Sequence, residues 1–401
     1  MRCSSCAAAH ASCDTHRMDL TDLETPALVL DRTRLDRNLA RMREHLTQLR
    51  VALRPHVKTA KSIDVLRRAL EGPPGSVERE PSGITVSTLK EAEYFFSNGV
   101  TDILYAVGIA PNKLQHVADL RRRGADITIV MDSAEAAEIV AAQGEELGVQ
   151  FPALIEIDSD GHRSGVQPGD ANLLDIGARL HGRKGTQLRG VMTHAGDSYN
   201  CTSIEKIRAL AERERAAVVQ CAQALRSAGL PCPIVSVGST PTATFAERMD
   251  GVTEVRAGVY MLFDLVMAGL GVCTPDDIAL SVMTSVIGHQ PDRNWIITDA
   301  GWMAMSRDRG TAKQRIDQGY GLVCDLAGRP IGDLIVADTN QEHGIIADRQ
   351  GKRIDLERFP VGTLLRILPN HACATAAQHP QYHVIAGEPV VEAVWPRFSG
   401  W

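Results

Sequence analysis

Apolar residues along this chain keep two rhythms that trade places repeatedly up to about residue 260. Short, nearly continuous apolar runs read as strands, and stretches with apolar positions three and four apart read as helices. Leu28, Val29 and Leu30 end a run entered through Pro26 and predict a strand. Leu35, Leu39, Met42 and Leu46 then recur at helical spacing, so Asp31 to Gln48 predicts a helix. A strand ends at Leu53 and a helix covers 62–70. Strands over 83–87, 102–106, 126–131 and 153–158 alternate with helices over 89–98, 113–124, 133–148 and near 173–180. Strands over 188–194, 234–238 and 254–258 follow, separated by helices over 203–229 and 242–248. Eight strands after Leu30, alternating with helices, demand parallel pairing and predict closure into a (β/α)8 TIM-type barrel.

From about Leu280 the texture changes. Runs at 281–288, 295–299, 334–337, 343–347, 364–368 and 383–386 predict strands with no long helix between them. The expected organisation is a tail over 1–19, a barrel over 20–270 and a C-terminal antiparallel β-rich domain over 271–401. The first strand is placed with the barrel, with pairing to the β-rich domain as the alternative. Trp395 to Trp401 predicts a closing tail packed by its two tryptophans.

Composition narrows the class. With 44% hydrophobic and 23% charged residues, the chain falls among globular proteins, and 401 residues accommodate two domains. A net charge of −6 argues against nucleic acid as a partner. No run approaches the roughly 18 apolar residues of a membrane span. Met1 to Arg17 holds Cys3, Cys6 and Cys13 with His10 and His16 but no long apolar core of a secretory signal. Cys3-Ser-Ser-Cys6 has zinc-knuckle spacing without a second pair, so a mobile tail is the reading and opportunistic metal binding its alternative. Nine thiols and no export signal imply the reducing cytoplasm.

In a β/α barrel, chemistry sits at the C-terminal strand ends, where His56, Lys58, Ser87, Asp158, His162, Arg163, His194 and Gly238 fall. Arg54-Pro55-His56-Val57-Lys58-Thr59-Ala60-Lys61-Ser62 is either a solvated basic turn or the seat of a lysine that forms an imine with a carbonyl cofactor. Gly238-Ser239-Thr240-Pro241-Thr242, between a strand and a helix, is an N-cap turn or a phosphate cradle of hydroxyls and outward N–H groups. Arg163 lies in a charged loop or faces the ring of a pyridine cofactor. His194 is a satisfied histidine at the barrel mouth or stacks on such a ring, with Tyr199 five residues on. His371-Ala372-Cys373 is the metal candidate: on an extended chain residues two apart point the same way, so imidazole and thiolate converge.

Thr25 to Asp31, Arg54 to Thr59 and Pro369-Asn370-His371-Ala372-Cys373 together resemble the D-serine dehydratase and D-threonine aldolase family. Its members are fold-type III pyridoxal-phosphate enzymes with an alanine-racemase-like barrel. Gly83 to Glu93, Asp160 to Gly165 and Asp299 to Asp308 extend the likeness, which runs from Leu20 to Trp401. The resemblance implies that Lys58, not Lys61, carries pyridoxal 5'-phosphate and acts as the catalytic base. Gly238, Ser239 and Thr240, with Gly258 and Tyr260, would hold the phosphate, and His56, Arg163, His194 and Tyr199 would surround the ring. His371 and Cys373 would bind a divalent metal (zinc, manganese, cobalt or nickel).

The activity so implied is dehydration of a D-3-hydroxyamino acid to a 2-oxo acid and ammonia: 3-hydroxyaspartate to oxaloacetate, or D-serine to pyruvate. Aldolase relatives tend to carry His-x-Asp where this chain has His371-Ala372-Cys373, which favours dehydration over cleavage to glycine and an aldehyde. A non-catalytic pyridoxal-phosphate carrier would need only the barrel. Arg307, Arg309 and Lys313 are the candidates to reach a second substrate carboxylate. The family also implies a homodimer.

Overall fold

Asp31 ends one strand and starts one helix, and that hinge shows how the two sheets of the molecule are joined. Its carboxylate accepts from the N–H groups of Thr33 and Arg34, capping the helix that follows. The strand before it does not enter the barrel. The computed structural model describes residues 18–71 and 83–401, so the Cys3/Cys6/Cys13 pattern lies outside the described residues.

After β1 (Met18–Asp19) and β2 (Ala27–Asp31), eight strands alternate with helices. The strands are β3 (Ala52–Pro55), β4 (Ile84–Val86), β5 (Asp102–Gly108), β6 (Asp126–Met131), β7 (Phe151–Ile157), β8 (Thr186–Thr193), β9 (Ile234–Val237) and β10 (Glu254–Ala257). The helices are α1 (Arg32–Gln48), α2 (Ile63–Leu70), α3 (Leu89–Ser97), α4 (Leu114–Arg122), α5 (Ala134–Leu147), α6 (Asn172–Gly182), α7 (Ile204–Ser227) and α8 (Thr240–Phe245). The strands pair in parallel in the order β3-β10-β9-β8-β7-β6-β5-β4, and a parallel bridge between His56 and Thr85 spans the remaining seam. Thr88, Ser133 and Ser203 cap α3, α5 and α7 by accepting from backbone N–H groups in the first turn.

The barrel interior is divided. On β5 to β8, Leu104, Val130, Leu154 and Met192 form a small apolar cluster apart from the main core. Across from them the interior is polar: Arg54 Nε donates to Glu254 (2.7 Å), Ser236 Oγ donates to Glu254 (2.7 Å), and Arg256 Nη1 donates to Ser236 (2.6 Å). Asp102 completes the pairing of Arg54 at 2.9 Å. Arg54 is matched by two carboxylates, whereas Arg256 is held by neutral acceptors, Ser236 Oγ and the Thr193 carbonyl at 2.6 Å.

Short α9 (Leu265–Gly269), capped by Asp264, leads to the second sheet. Its strands are β11 (Leu280–Gln290), β12 (Trp295–Thr298), β13 (Gly321–Cys324), β14 (Pro330–Thr339), β15 (Gly344–Asp348), β16 (Leu364–Pro369), β17 (Gln381–Ile385) and β19 (Ala393–Pro396). Two short helices interrupt them, α10 (Trp302–Met305) and α11 (Ala372–Ala376), and β18 (Val390–Val391) pairs with β1. The order β12-β15-β14-β13-β16-β11 closes through an extra β11–β12 pairing, so six antiparallel strands form a second small barrel. β2, β17 and β19 extend that sheet, with β2 antiparallel to β11 and parallel to β17.

β13 and β19 carry no strong alternation of their own and were not anticipated from the pattern; both lean on longer partners. The helix expected over 242–248 instead starts at Thr240 and stops at Phe245. In the tail, Trp395 packs against the core, Trp401 is 95% exposed, and Phe398 takes the expected packing role against Tyr94. Among the described residues no helix is long and apolar enough to cross a membrane.

Candidate active site

The C-terminal ends of the barrel strands and the turn after β16 enclose one cavity of about 740 Å³. His56, Lys58, Arg163, His194, Tyr199, Gly238, Ser239, Thr240, Gly258, His371 and Cys373 all line it. The two lysines of the basic turn part company here. Lys61 Nζ lies 3.4 Å from buried Glu91 and over the ring of Phe398. Lys58 is exposed within the cavity, and among the described residues no carboxylate pairs with it. The amine that faces the cavity is therefore that of Lys58.

Both nearby imidazoles are neutral. Burial, and secondarily the charge of Lys58, holds His56 well below the ordinary imidazole range. His194 is lowered to about 4, chiefly by burial. Its Nδ1 lies 2.9 Å from the carbonyl of Gly238, so Nδ1 carries the proton and Nε2 is free to accept. Tyr199 stands beside His194 with ring centroids 6.3 Å apart. Its hydroxyl takes a hydrogen bond from the Thr240 N–H, and burial, the larger effect, raises its pKa.

The glycine cradle works differently from expectation. Gly238 N–H does not point into the cavity; it donates to Glu214 Oε1 at 3.0 Å, as does Ala195 N–H at 3.0 Å. Ser239 N–H likewise turns to Thr242 Oγ1. Gly238 is required for space: its φ is +137°, and a Cβ would stand 2.1 Å from the Arg256 carbonyl. Gly258 is pressed in the same way, with a Cβ 2.7 Å from the His56 carbonyl. What the cradle offers is a hydroxyl-lined recess, with Ser239 Oγ 2.9 Å from Ser198 Oγ and Thr240 beside it. The Tyr260 side chain does not join it, although its backbone N–H donates to Thr240 Oγ1 at 3.3 Å. In the turn after β10, Val259 faces the cavity, so Tyr260 faces the other way, fully buried towards Arg43.

His371 and Cys373 both face Lys58's cavity, by a different geometry from an extended chain. His371 is the extended N-cap of α11 and Cys373 sits in its first turn. Asp308 Oδ2 lies 2.6 Å from His371 Nδ1, and Asp264 Oδ2 accepts from Ala372 N–H at 3.0 Å. Thr59 Oγ1, one residue past Lys58, lies 3.1 Å from Cys373 Sγ. Burial opposes the charged forms of both groups, but hydrogen bonding to Asp308 and to each other outweighs it. His371 is thereby raised and Cys373 lowered from their ordinary values. Asp308 fixes the ring so that Nε2 and the sulfur share one direction, which fits a two-ligand metal site with open positions. Among the described residues no cluster of three or more His, Cys, Asp or Glu side chains has metal-site geometry.

Arg256 lines the cavity floor and was missed, although two charges alternating in an apolar strand (Glu254, Arg256) were the available signal. Arg307, Arg309 and Lys313 do not line the cavity. Arg307 stacks on Trp302, and Arg309 pairs with Asp317 over Tyr320.

An alanine-racemase barrel that buries a lysine-bearing turn under a His-x-Cys turn defines a class of pyridoxal-phosphate-dependent lyases. Residues 30–265 match the family described as "Alanine racemase, N-terminal domain", and 279–385 match "Putative serine dehydratase domain". The chain is 57% identical to D-threo-3-hydroxyaspartate dehydratase of Delftia sp. strain HT23, covering 95% of this chain and 99% of that one. It is 30% identical to D-serine dehydratase of Dictyostelium discoideum, covering 92% and 94%. A 3-hydroxy-D-aspartate aldolase of Paracoccus denitrificans is 27% identical over 94% of this chain and 92% of its own. The solved Delftia enzyme superimposes with a TM-score of 0.91 at 56% identity, over 96% of this chain and all of that one. One of its cysteine-to-alanine mutants was solved in the metal-free form. The chain belongs to the D-serine dehydratase–D-threonine aldolase family.

Proposed function

We propose that this protein is a pyridoxal-phosphate- and divalent-metal-dependent dehydratase of D-3-hydroxyamino acids. Its foremost substrate would be D-threo-3-hydroxyaspartate, released as oxaloacetate and ammonia, with D-serine, giving pyruvate, a weaker one. One observation carries the reading: the unpaired amine of Lys58 shares its cavity with the His371–Cys373 pair. The 57% identity to the Delftia dehydratase supports the choice of substrate.

When bound, pyridoxal phosphate supplies an electron sink for the α-carbon and a divalent metal supplies a Lewis acid for the β-hydroxyl. This chain's residues do the rest. Lys58 would hold the cofactor, and its amine, once free, would take the α-proton on Nζ. Ser239 and Thr240 hold the phosphate, and Gly238 and Gly258 give it room. His56, His194 and Tyr199 would flank the ring, with neutral imidazoles that add no positive charge beside it. Arg163 stands at the mouth, 61% exposed and 3.6 Å from Glu156. His371 Nε2 and Cys373 Sγ hold the metal while Asp308 keeps the ring oriented. Water leaves from Cβ as the α-proton leaves from Cα. The enamine then tautomerises and is hydrolysed, so no oxidant or reductant is consumed.

A thiolate–imidazole donor set suits zinc, cobalt, nickel or manganese by turns. A homodimer in the reducing cytoplasm belongs to the same proposal; the six described cysteines are all free thiols. The test is a product assay. Purified protein loaded with cofactor and metal, given D-threo-3-hydroxyaspartate, should release ammonia and oxaloacetate in equal amounts. Glycine and glyoxylate as sole products would instead make it an aldolase. Lys58→Ala should abolish both turnover and the visible absorption of the lysine-bound cofactor.

A further inference from the structure

The carbonyl of Ala60, two residues beyond Lys58, is gripped from the other domain. Tyr382 Oη donates to it at 2.7 Å and Arg397 Nε at 3.0 Å. The same guanidinium reaches the far side of the cavity roof, since Arg397 Nη1 donates to the carbonyls of Ala376 and, at 2.9 Å, His379. Ala376 ends α11, the helix with His371 at its N-cap position and Cys373 in its first turn. One buried side chain on the C-terminal strand exit thus touches both the lysine turn and the His-x-Cys helix. Arg397 is only 7% exposed, and Tyr382 is fully buried.

The turn it holds is one that needs holding. It closes on itself through Lys61 N–H to Val57 carbonyl at 2.8 Å, but Lys61 sits at φ +45°, a left-handed conformation that a residue with a Cβ resists. Phe398 follows Arg397 into an aromatic seat against Tyr94, 4.4 Å between centroids, and its N–H donates to the Lys61 carbonyl. From the roof side, Cys373 Sγ meets Thr59 Oγ1.

We infer that Arg397 and Tyr382 are positioning residues for the reaction: together they fix the separation between the Lys58 amine and the His371–Cys373 pair. The proton taken at Cα and the hydroxyl lost from Cβ are on adjacent carbons, so the two groups must be held in register, and misplacement near 1 Å costs about a hundredfold in rate. Arg397→Lys keeps the charge but loses the fork that spans both carbonyl sets. Tyr382→Phe keeps the ring but removes the hydroxyl that donates to the Ala60 carbonyl and accepts from Arg397 Nε at 2.9 Å.

The inference rests on Lys58 carrying the cofactor, so Lys58→Ala is made in parallel. If that variant keeps the visible band, it is the underlying reading that fails. With Lys58 established, we expect kcat to fall about a hundredfold in Arg397→Lys and about tenfold in Tyr382→Phe, with KM changed less than about threefold. A second readout needs no turnover. The rate at which pyridoxal phosphate, added to cofactor-free protein, builds its visible band should fall in the same order. Unchanged kcat and band formation in both variants overturn the inference, whatever happens to thermal stability. So does a rise in KM with kcat intact. Should Arg397→Lys fail to fold, Tyr382→Phe decides by the same two measurements.

Discussion

Removing the Glu214 carboxyl tests how the two cofactor-facing turns are held. Oε1 of this fully buried side chain on α7 accepts from Ala195 N–H and Gly238 N–H, both at 3.0 Å. The first belongs to the turn that carries His194 and Tyr199, the second to the glycine of the phosphate recess. In Glu214→Ala two buried donors lose their acceptor, at about 1–3 kcal/mol each, so about 2–6 kcal/mol of stability should go. Loosened turns should also weaken pyridoxal phosphate binding; each 1.4 kcal/mol falling on the bound form is about tenfold in Kd. Glu214→Gln keeps an oxygen at the same place and should stay within about 1 kcal/mol of wild type. Burial is the main influence on this carboxyl and raises its pKa above the ordinary 4.5. A raised folded-state value contributes stability that is fully present below 4.5 and lost as pH rises through the folded pKa. Wild type should therefore lose ground against Glu214→Gln on going from acid to neutral pH. Urea midpoints of the cofactor-free proteins at two pH values, with cofactor titrations, measure all three effects. An alanine variant as stable as wild type, or a glutamine variant as damaged as alanine, refutes the reasoning.

Lys61→Met should keep the visible cofactor band and turnover while losing about 1–3 kcal/mol by urea denaturation, because buried Glu91 is left without its cation. Gly238→Ala should abolish cofactor retention on gel filtration, since φ +137° and a carbonyl 2.1 Å from the new Cβ leave it no place. Asp308→Asn should weaken zinc binding to the cofactor-free protein about 10–100-fold by calorimetry, through loss of the carboxylate that orients His371. Asn38→Leu should cost about 2–5 kcal/mol, because its amide donates to the buried carbonyls of Met261 and Asp277 at 3.2 and 2.7 Å.

The barrel was legible because each of its strands is a local apolar run and each helix carries its own stripe, such as Leu35, Leu39, Met42 and Leu46 on α1. The contents of the cavity were legible for a related reason: strand ends are where such a barrel gathers its reactive groups, and Lys58, His194 and Gly238 lie there. The facing of Tyr260 was not legible because successive side chains of a 3-10 turn lie about 120° apart, and here Val259 lines the cavity while the Tyr260 ring is buried. What no local pattern could reveal is how the pieces are held. Arg397 meets Ala60 across 337 residues, and Thr59 meets Cys373 across 314. Pairs so distant leave no periodicity, only single polar residues at buried positions, which any sequence offers in plenty.

Those long-range contacts also explain why a strand from the start of the chain lies in the second sheet. With β2 fixed between β11 and β17, the chain enters α1 and then β3 from the β-rich domain itself. The turn that carries Lys58 is therefore tied to that domain on both sides: through β2 and α1 before it, and through Tyr382, Arg397 and Phe398 against its carbonyls. The His371–Cys373 turn is tied reciprocally to the barrel by Asp264, which caps α9 with one carboxylate oxygen and holds Ala372 with the other. An amine on one domain and a metal-binding pair on the other can act on neighbouring atoms only if the domains keep one relative placement. A chain threaded twice across the junction, with buried charged groups as its ties, is the arrangement that enforces it.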